Sequence, residues 1–155
     1  MFSIQDIIDI AIQIEENGEQ FFRNAMQKTK DPALISLLQW LADEEAEHIR
    51  WFKNLKRNVR QSVEILELEK MGRALLREAV GDQRFALNDT DFSKIKQVEA
   101  LLALAIKFEE DTVLFYQMLQ PFMEDRETMD QLKKIVEEEE RHAQKLQDFL
   151  GGDRL

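Results

Sequence analysis

Two stretches of this chain, 94 residues apart, carry the same pattern, and a fold that buries one must bury the other in the same way. Ala11-Ile12-Gln13-Ile14-Glu15-Glu16-Asn17-Gly18-Glu19-Gln20-Phe21-Phe22 is matched by Ala105-Ile106-Lys107-Phe108-Glu109-Glu110-Asp111-Thr112-Val113-Leu114-Phe115-Tyr116. The same offset carries Glu44-Glu45-Ala46-Glu47-His48 onto Glu138-Glu139-Glu140-Arg141-His142. Both segments repeat without an insertion between them, so the chain reads as two copies of one helix pair. Apolar residues recur at three- and four-residue steps rather than in alternation, and the 155 residues contain only 5 Gly and 2 Pro. The fold class is therefore all-α.

Turn signals divide the chain. Ser3, with Asp6 three residues on, can cap a first helix running to about Lys30, and Asp31-Pro32 supplies a cap and a first-turn proline for a second, running to about Lys56. From Arg57 to Phe92 the periodicity weakens: Gly72 and Gly81 interrupt it, Asn88-Asp89-Thr90-Asp91 reads as a loop, and Ser93 is the next cap. A connection of that length holds structure of its own, and a short helix is expected within Ser62 to Val80. The helix after Ser93 stops near Gln120 at Pro121, and a last one runs from about Asp125 to Leu150, ended by Gly151-Gly152. Two pairs with short turns and one long crossover, residues 57–92, describe a four-helix bundle with a pseudo-twofold repeat, occupying residues 1–155 as one domain.

Each main helix carries an apolar seam interrupted at one level. The seams read Ile4, Ile8, Ala11, Glu15, Gly18, Phe22, Ala25; Leu34, Leu38, Leu41, Glu45, His48, Phe52, Leu55; Val98, Leu102, Ala105, Glu109, Thr112, Tyr116, Leu119; and Thr128, Leu132, Ile135, Glu139, His142, Leu146, Phe149. This spacing is the inward-facing line of a bundle helix, so four carboxylates and two imidazoles converge inside. A solvated role for them would put the apolar seams into water at their midpoints.

Unpaired buried charges cost several kcal/mol each, and no Lys or Arg occupies a seam. The countercharge is then metal, since two divalent cations supply about +4 against four carboxylates. Glu45 with His48, and Glu139 with His142, stand three residues apart on one helix face, and each pair offers an oxygen and a nitrogen. Glu15 and Glu109 add terminal or bridging oxygens. Such a set suits iron or manganese.

Composition removes the competitors. With 21 Lys+Arg against 31 Asp+Glu, a net charge of -10, the chain is ill suited to nucleic acid or anionic lipid. With 0 Cys it holds no disulfide, thiolate metal site or cysteine nucleophile. No window reads as a membrane span, and the N-terminus lacks a leader pattern, so a soluble cytoplasmic protein is expected.

The set Glu15, Glu45-Ala46-Glu47-His48, Glu109 and Glu139-Glu140-Arg141-His142 resembles the ferritin-like di-iron carboxylate superfamily, and within it the rubrerythrin-like proteins. The resemblance covers the four main helices. It implies a bundle holding two irons that reacts with hydrogen peroxide or dioxygen. Rubrerythrins proper carry a cysteine-ligated rubredoxin domain, which 0 Cys excludes from these residues, so electrons come from an external donor such as a rubredoxin. They also place a carboxylate one turn after the second-half ligand glutamate, where this chain has Thr112. Bacterioferritins share the ligand set, but Ala46 stands where their haem methionine would be. Cage-forming ferritins usually continue into a fifth short helix, whereas five residues follow Leu150, so a storage shell is the weaker branch.

The resemblance also implies that Glu44 and Glu138 accept the ring N–H of the other half's histidine. Tyr116, seven residues after Glu109, is within reach of a ligand carboxylate or an electron path, or is a plain core aromatic; its repeat counterpart is Phe22. Gly18 and Thr112 are small seam residues that leave room for an oxygen species or for a close helix crossing. Trp40 and Trp51 read as packing or dimer contacts, and a homodimer is expected. Three functions compete: a rubrerythrin-type oxidoreductase, an iron-handling protein with a ferroxidase step, and a metal-stabilised structural module.

Overall fold

The computed structural model describes residues 4–58, 66–78 and 95–152. Its elements are α1 (Ile4–Met26), α2 (Pro32–Asn58), α3 (Leu66–Arg77), α4 (Ile95–Leu119), a 3₁₀ turn (Gln120–Phe122) and α5 (Arg126–Leu150), and no strand is present among the described residues. Helices α1 with α2, and α4 with α5, form two tightly packed pairs; α2 meets α5, and α3 lies against α1 and α4. The all-α bundle with a crossover helix is the architecture expected from the repeat. No described helix is long and apolar enough to cross a membrane.

Local chemistry accounts for the boundaries. The α1 helix ends at Met26, four residues before the expected Lys30, because the chain turns there: Gln27 and Lys28 donate to the carbonyls of Asn24 and Ala25, and the Asp31 N–H donates to Thr29 Oγ1 at 3.1 Å. Asp31 then caps α2, its Oδ1 accepting from the Ala33 N–H at 3.0 Å, with Pro32 at the first helical position. Pro121 ends α4 through one 3₁₀ turn, and Asp125 Oδ1 accepts from the Thr128 N–H at 2.7 Å to start α5. The expected caps at Ser3 and Ser93, the loop Asn88 to Asp91 and Gly81 lie outside the described residues.

The short helix expected within Ser62 to Val80 is α3, and Gly72, where the apolar periodicity is interrupted, sits buried in its middle. A Cβ there would lie 2.6 Å from Ile10 Cγ2 and 3.0 Å from Phe115 Cε1, so the missing side chain is what lets α3 approach α1 and α4. With α3 in place, α1 buries Ile7, Ile10, Ile14 and Phe21 in addition to its seam. The four seams are buried throughout, apart from half-buried Val98 and Thr128 at their ends.

Candidate metal centre

The structure brings all six residues singled out from the seams to one level of the bundle interior. Glu15, Glu109, Glu139 and His142 are fully enclosed, Glu45 and His48 almost so. Each helix places its residue for the same reason: apolar seam positions above and below pull that face inward, and the acidic position follows.

Their ligand atoms form two overlapping groups. Glu15, Glu45, His48 and Glu139 offer atoms within 4.8 Å of one another, as do Glu45, Glu109, Glu139 and His142. Glu45 and Glu139 belong to both. Each group contains one of the expected pairs, Glu45 with His48 and Glu139 with His142. Each imidazole's nearest carboxylate, however, comes from the other helix pair: His48 Nδ1 lies 2.7 Å from Glu139 Oε1, and His142 Nδ1 lies 3.0 Å from Glu45 Oε1 and 3.3 Å from Glu139 Oε2. Glu15 Oε1 is 3.4 Å from His48 Nδ1, and Glu109 Oε2 is 3.6 Å from His142 Nδ1. The rings stack with centroids 5.9 Å apart.

The far nitrogens point the other way. His48 Nε2 is 3.4 Å from Glu138 Oε2, and His142 Nε2 is 3.7 Å from Glu44 Oε1, an ion-pair contact longer than a hydrogen bond. Both half-buried glutamates therefore face the opposite half's histidine. Tyr116 Oη donates to Glu15 Oε1 at 2.7 Å, so the tyrosine is not a plain core aromatic. Thr112 Oγ1 donates to the Phe108 carbonyl of its own helix at 2.8 Å. A Cβ on Gly18 would lie 3.4 Å from Glu45 Oε2, so this glycine borders the shared carboxylate. Trp51 packs edge-on against Phe52. Trp40 packs edge-on against His142 at 5.1 Å, a contact no spacing within α2 could show because its partner is on α5.

Protonation follows from crowding. Burial, and then the neighbouring glutamates, push Glu45 and Glu109 well above the usual carboxylate range; burial and Glu139 raise Glu15, partly offset by His48. Burial would raise Glu139 too, but the adjacent Glu109 and both imidazoles hold it well below. Burial alone would depress the histidines, yet Glu15, Glu138 and Glu139 raise His48, and Glu139, Glu109 and Glu44 raise His142, well above the ordinary imidazole value. Burial and Glu15 keep the Tyr116 phenol far above its ordinary value, so it stays a donor.

Four buried carboxylate oxygens have no hydrogen-bond partner: Glu15 Oε2, both oxygens of Glu109, and Glu139 Oε2. Orphaned acceptors in an apolar interior are what a cation would satisfy. The donor set, oxygen-rich with two imidazoles, fits iron or manganese.

An all-α bundle with a carboxylate and histidine cluster at its middle defines a ferritin-like protein. The family model for rubrerythrin matches residues 6–150, and the chain belongs to that family. Its fold is that of a crystal structure from Thermotoga maritima, described as a candidate ferritin-like diiron-carboxylate protein, with a TM-score of 0.78 and 22% identity over 97% of this chain and 96% of that one. No curated protein matches it by sequence.

Proposed function

We propose that residues 1–155 act as one di-iron domain, a non-haem oxidoreductase of rubrerythrin type that reduces hydrogen peroxide or dioxygen with electrons from an external donor in the cytoplasm. The observation that carries this is the pair of overlapping groups sharing Glu45 and Glu139, with unpartnered carboxylate oxygens beside them. Two ferrous ions held there would supply two electrons, one each, which together with two protons from solvent is what reduction of one hydrogen peroxide to two waters requires.

In this reading the protein's own residues do the following. Glu45 and Glu139 span the two positions. Glu15 with His48, and Glu109 with His142, complete one position each. Glu138 and Glu44 fix the ring orientation of His48 and His142 through their far nitrogens. Phe22, Phe52, Phe108 and Leu102, all buried, keep bulk water from the level of the carboxylates. Gly18 leaves space beside Glu45 for a small oxygen species to approach.

The external donor, in this reading a rubredoxin-like protein, restores the site. A homodimer completes the picture, with Leu114 and Met118, exposed on α4, as apolar contributors to its surface.

The test is an anaerobic ferrous titration of metal-free protein followed by one equivalent of hydrogen peroxide, with near-ultraviolet absorbance recorded. Binding of two irons per chain with rapid ferric absorbance, and repeated turnover when a reductant is added, supports the oxidoreductase. Net accumulation of ferric iron without turnover supports the iron-handling alternative, and inertness to oxidant supports a structural role.

A further inference from the structure

The two halves of the centre are not copies of each other. Tyr116 is the only tyrosine of the chain, and the residue at its repeat position, Phe22, has no polar atom. Both are fully buried. The Tyr116 hydroxyl donates to Glu15 Oε1 at 2.7 Å, leaving Oε2 as the Glu15 oxygen without a partner. Both oxygens of Glu109 are buried and unpartnered. A carboxylate whose one oxygen already accepts from a phenol has fewer lone pairs left for a cation than one whose two oxygens accept no hydrogen bond. The phenol also withdraws charge from the oxygen it binds, which weakens Glu15 as a ligand.

A second observation points the same way. Trp40 packs edge-on against His142 at 5.1 Å, while its repeat counterpart, Lys134, is exposed to solvent. The imidazole of the Glu109 half is therefore braced by an aromatic wall for which the Glu15 half has no repeat equivalent. A braced ligand loses less freedom when it binds.

We propose that the two metal positions fill in order: the Glu109–His142 position takes the first divalent cation, and the Glu15–His48 position, with one Glu15 oxygen held by Tyr116, takes the second more weakly. This rests on the reading of the cluster as a dinuclear metal centre. Tyr116 is a positioning residue in it, acting through Glu15. The separation between the two affinities is roughly ten- to a hundredfold, the range over which hydrogen-bonding partners tune metal ligands.

Manganese(II), added anaerobically to the metal-free full chain, tests the order by calorimetry together with electron paramagnetic resonance. The expected result is two resolved binding steps, an isolated-ion spectrum through the first equivalent, and a spin-coupled pair only as the second is added. Tyr116→Phe, which removes one oxygen and conserves the ring, brings the steps together and makes the coupled pair appear within the first equivalent. His142→Ala removes the tight step, and His48→Ala the weak one; this pair decides the question if Tyr116→Phe does not fold. A single step in the unaltered protein, or two steps untouched by Tyr116→Phe, overturns the proposal while leaving the dinuclear reading standing. Failure to bind manganese(II) or iron(II) at all overturns both.

Discussion

His48 Nδ1 lies 2.7 Å from Glu139 Oε1, a bond between the two helix pairs that links residues 91 positions apart in the chain. With its counterpart between His142 and Glu45 at 3.0 Å, it ties the halves of the bundle together through the very groups that would hold metal. The consequence for mutagenesis is that residues of the centre divide into shared and unshared.

Glu45 and Glu139 belong to both ligand groups, whereas Glu15 and Glu109 belong to one each. Glu139→Gln therefore lowers iron binding at both positions, and Glu109→Gln leaves about one iron per chain. Glu45→Ala combined with His142→Ala abolishes stoichiometric binding while the protein remains helical. Metal analysis after desalting, alongside far-ultraviolet circular dichroism, reads all three; full iron content in the double variant would sink the ligand assignment.

Metal uptake should release protons, because Glu45 and Glu109 are held protonated above the usual carboxylate range and both imidazoles are held protonated above theirs. Affinity for iron(II) consequently rises with pH. Stability of the metal-free protein moves the opposite way. A histidine whose folded value is raised contributes fully below its unfolded value of about 6.5, and that contribution is lost as pH climbs toward the folded value. The Tm of metal-free protein is expected to fall from pH 7 to pH 9. Calorimetric titrations in buffers of different ionisation enthalpy count the released protons, and a count of zero contradicts the protonation pattern.

Gly72→Ala removes a flexible residue from a helix, which on propensity alone would stabilise by about 1 kcal/mol. Here the added methyl would lie 2.6 Å from Ile10 Cγ2 and 3.0 Å from Phe115 Cε1, so overpacking of about 1–3 kcal/mol opposes it. We expect a lower Tm with unchanged metal stoichiometry, because α3 packs on α1 and α4 and contributes none of the six clustered residues. A higher Tm would show that α3 can withdraw without loss.

Gly18→Ala is the informative contrast. Its methyl would sit 3.4 Å from both Glu45 Oε2 and Phe108 Cε2, close but tolerable, so helix propensity wins and Tm rises by a few degrees. The same methyl narrows the space beside Glu45, and peroxide turnover is expected to fall several-fold with iron content intact. Equal turnover in both proteins would show that Gly18 serves only the helix crossing.

Much of this centre is legible in the residues alone. A 3.6-residue period assigns each side chain to a face of its own helix, and the 94-residue repeat assigns the four interrupting glutamates to one level. Together they name Glu15, Glu45, His48, Glu109, Glu139 and His142, and the demand for countercharge follows from burying carboxylates without Lys or Arg. Gly72 was opaque for a related reason: a glycine that breaks a helix and one that admits a neighbouring helix read identically until the neighbour is known.

What the sequence by itself determined, then, is which residues meet and at what height in the bundle. Only the tertiary structure decided how they meet: that Glu45 and Glu139 are common to both groups, that each imidazole's nearest carboxylate belongs to the opposite pair, and that Tyr116 reaches Glu15 rather than its own helix's Glu109. Periodicity acts along one helix axis, whereas the choice of partner oxygen depends on the distance, stagger and crossing angle between helices, which only the packing of all the seams together sets.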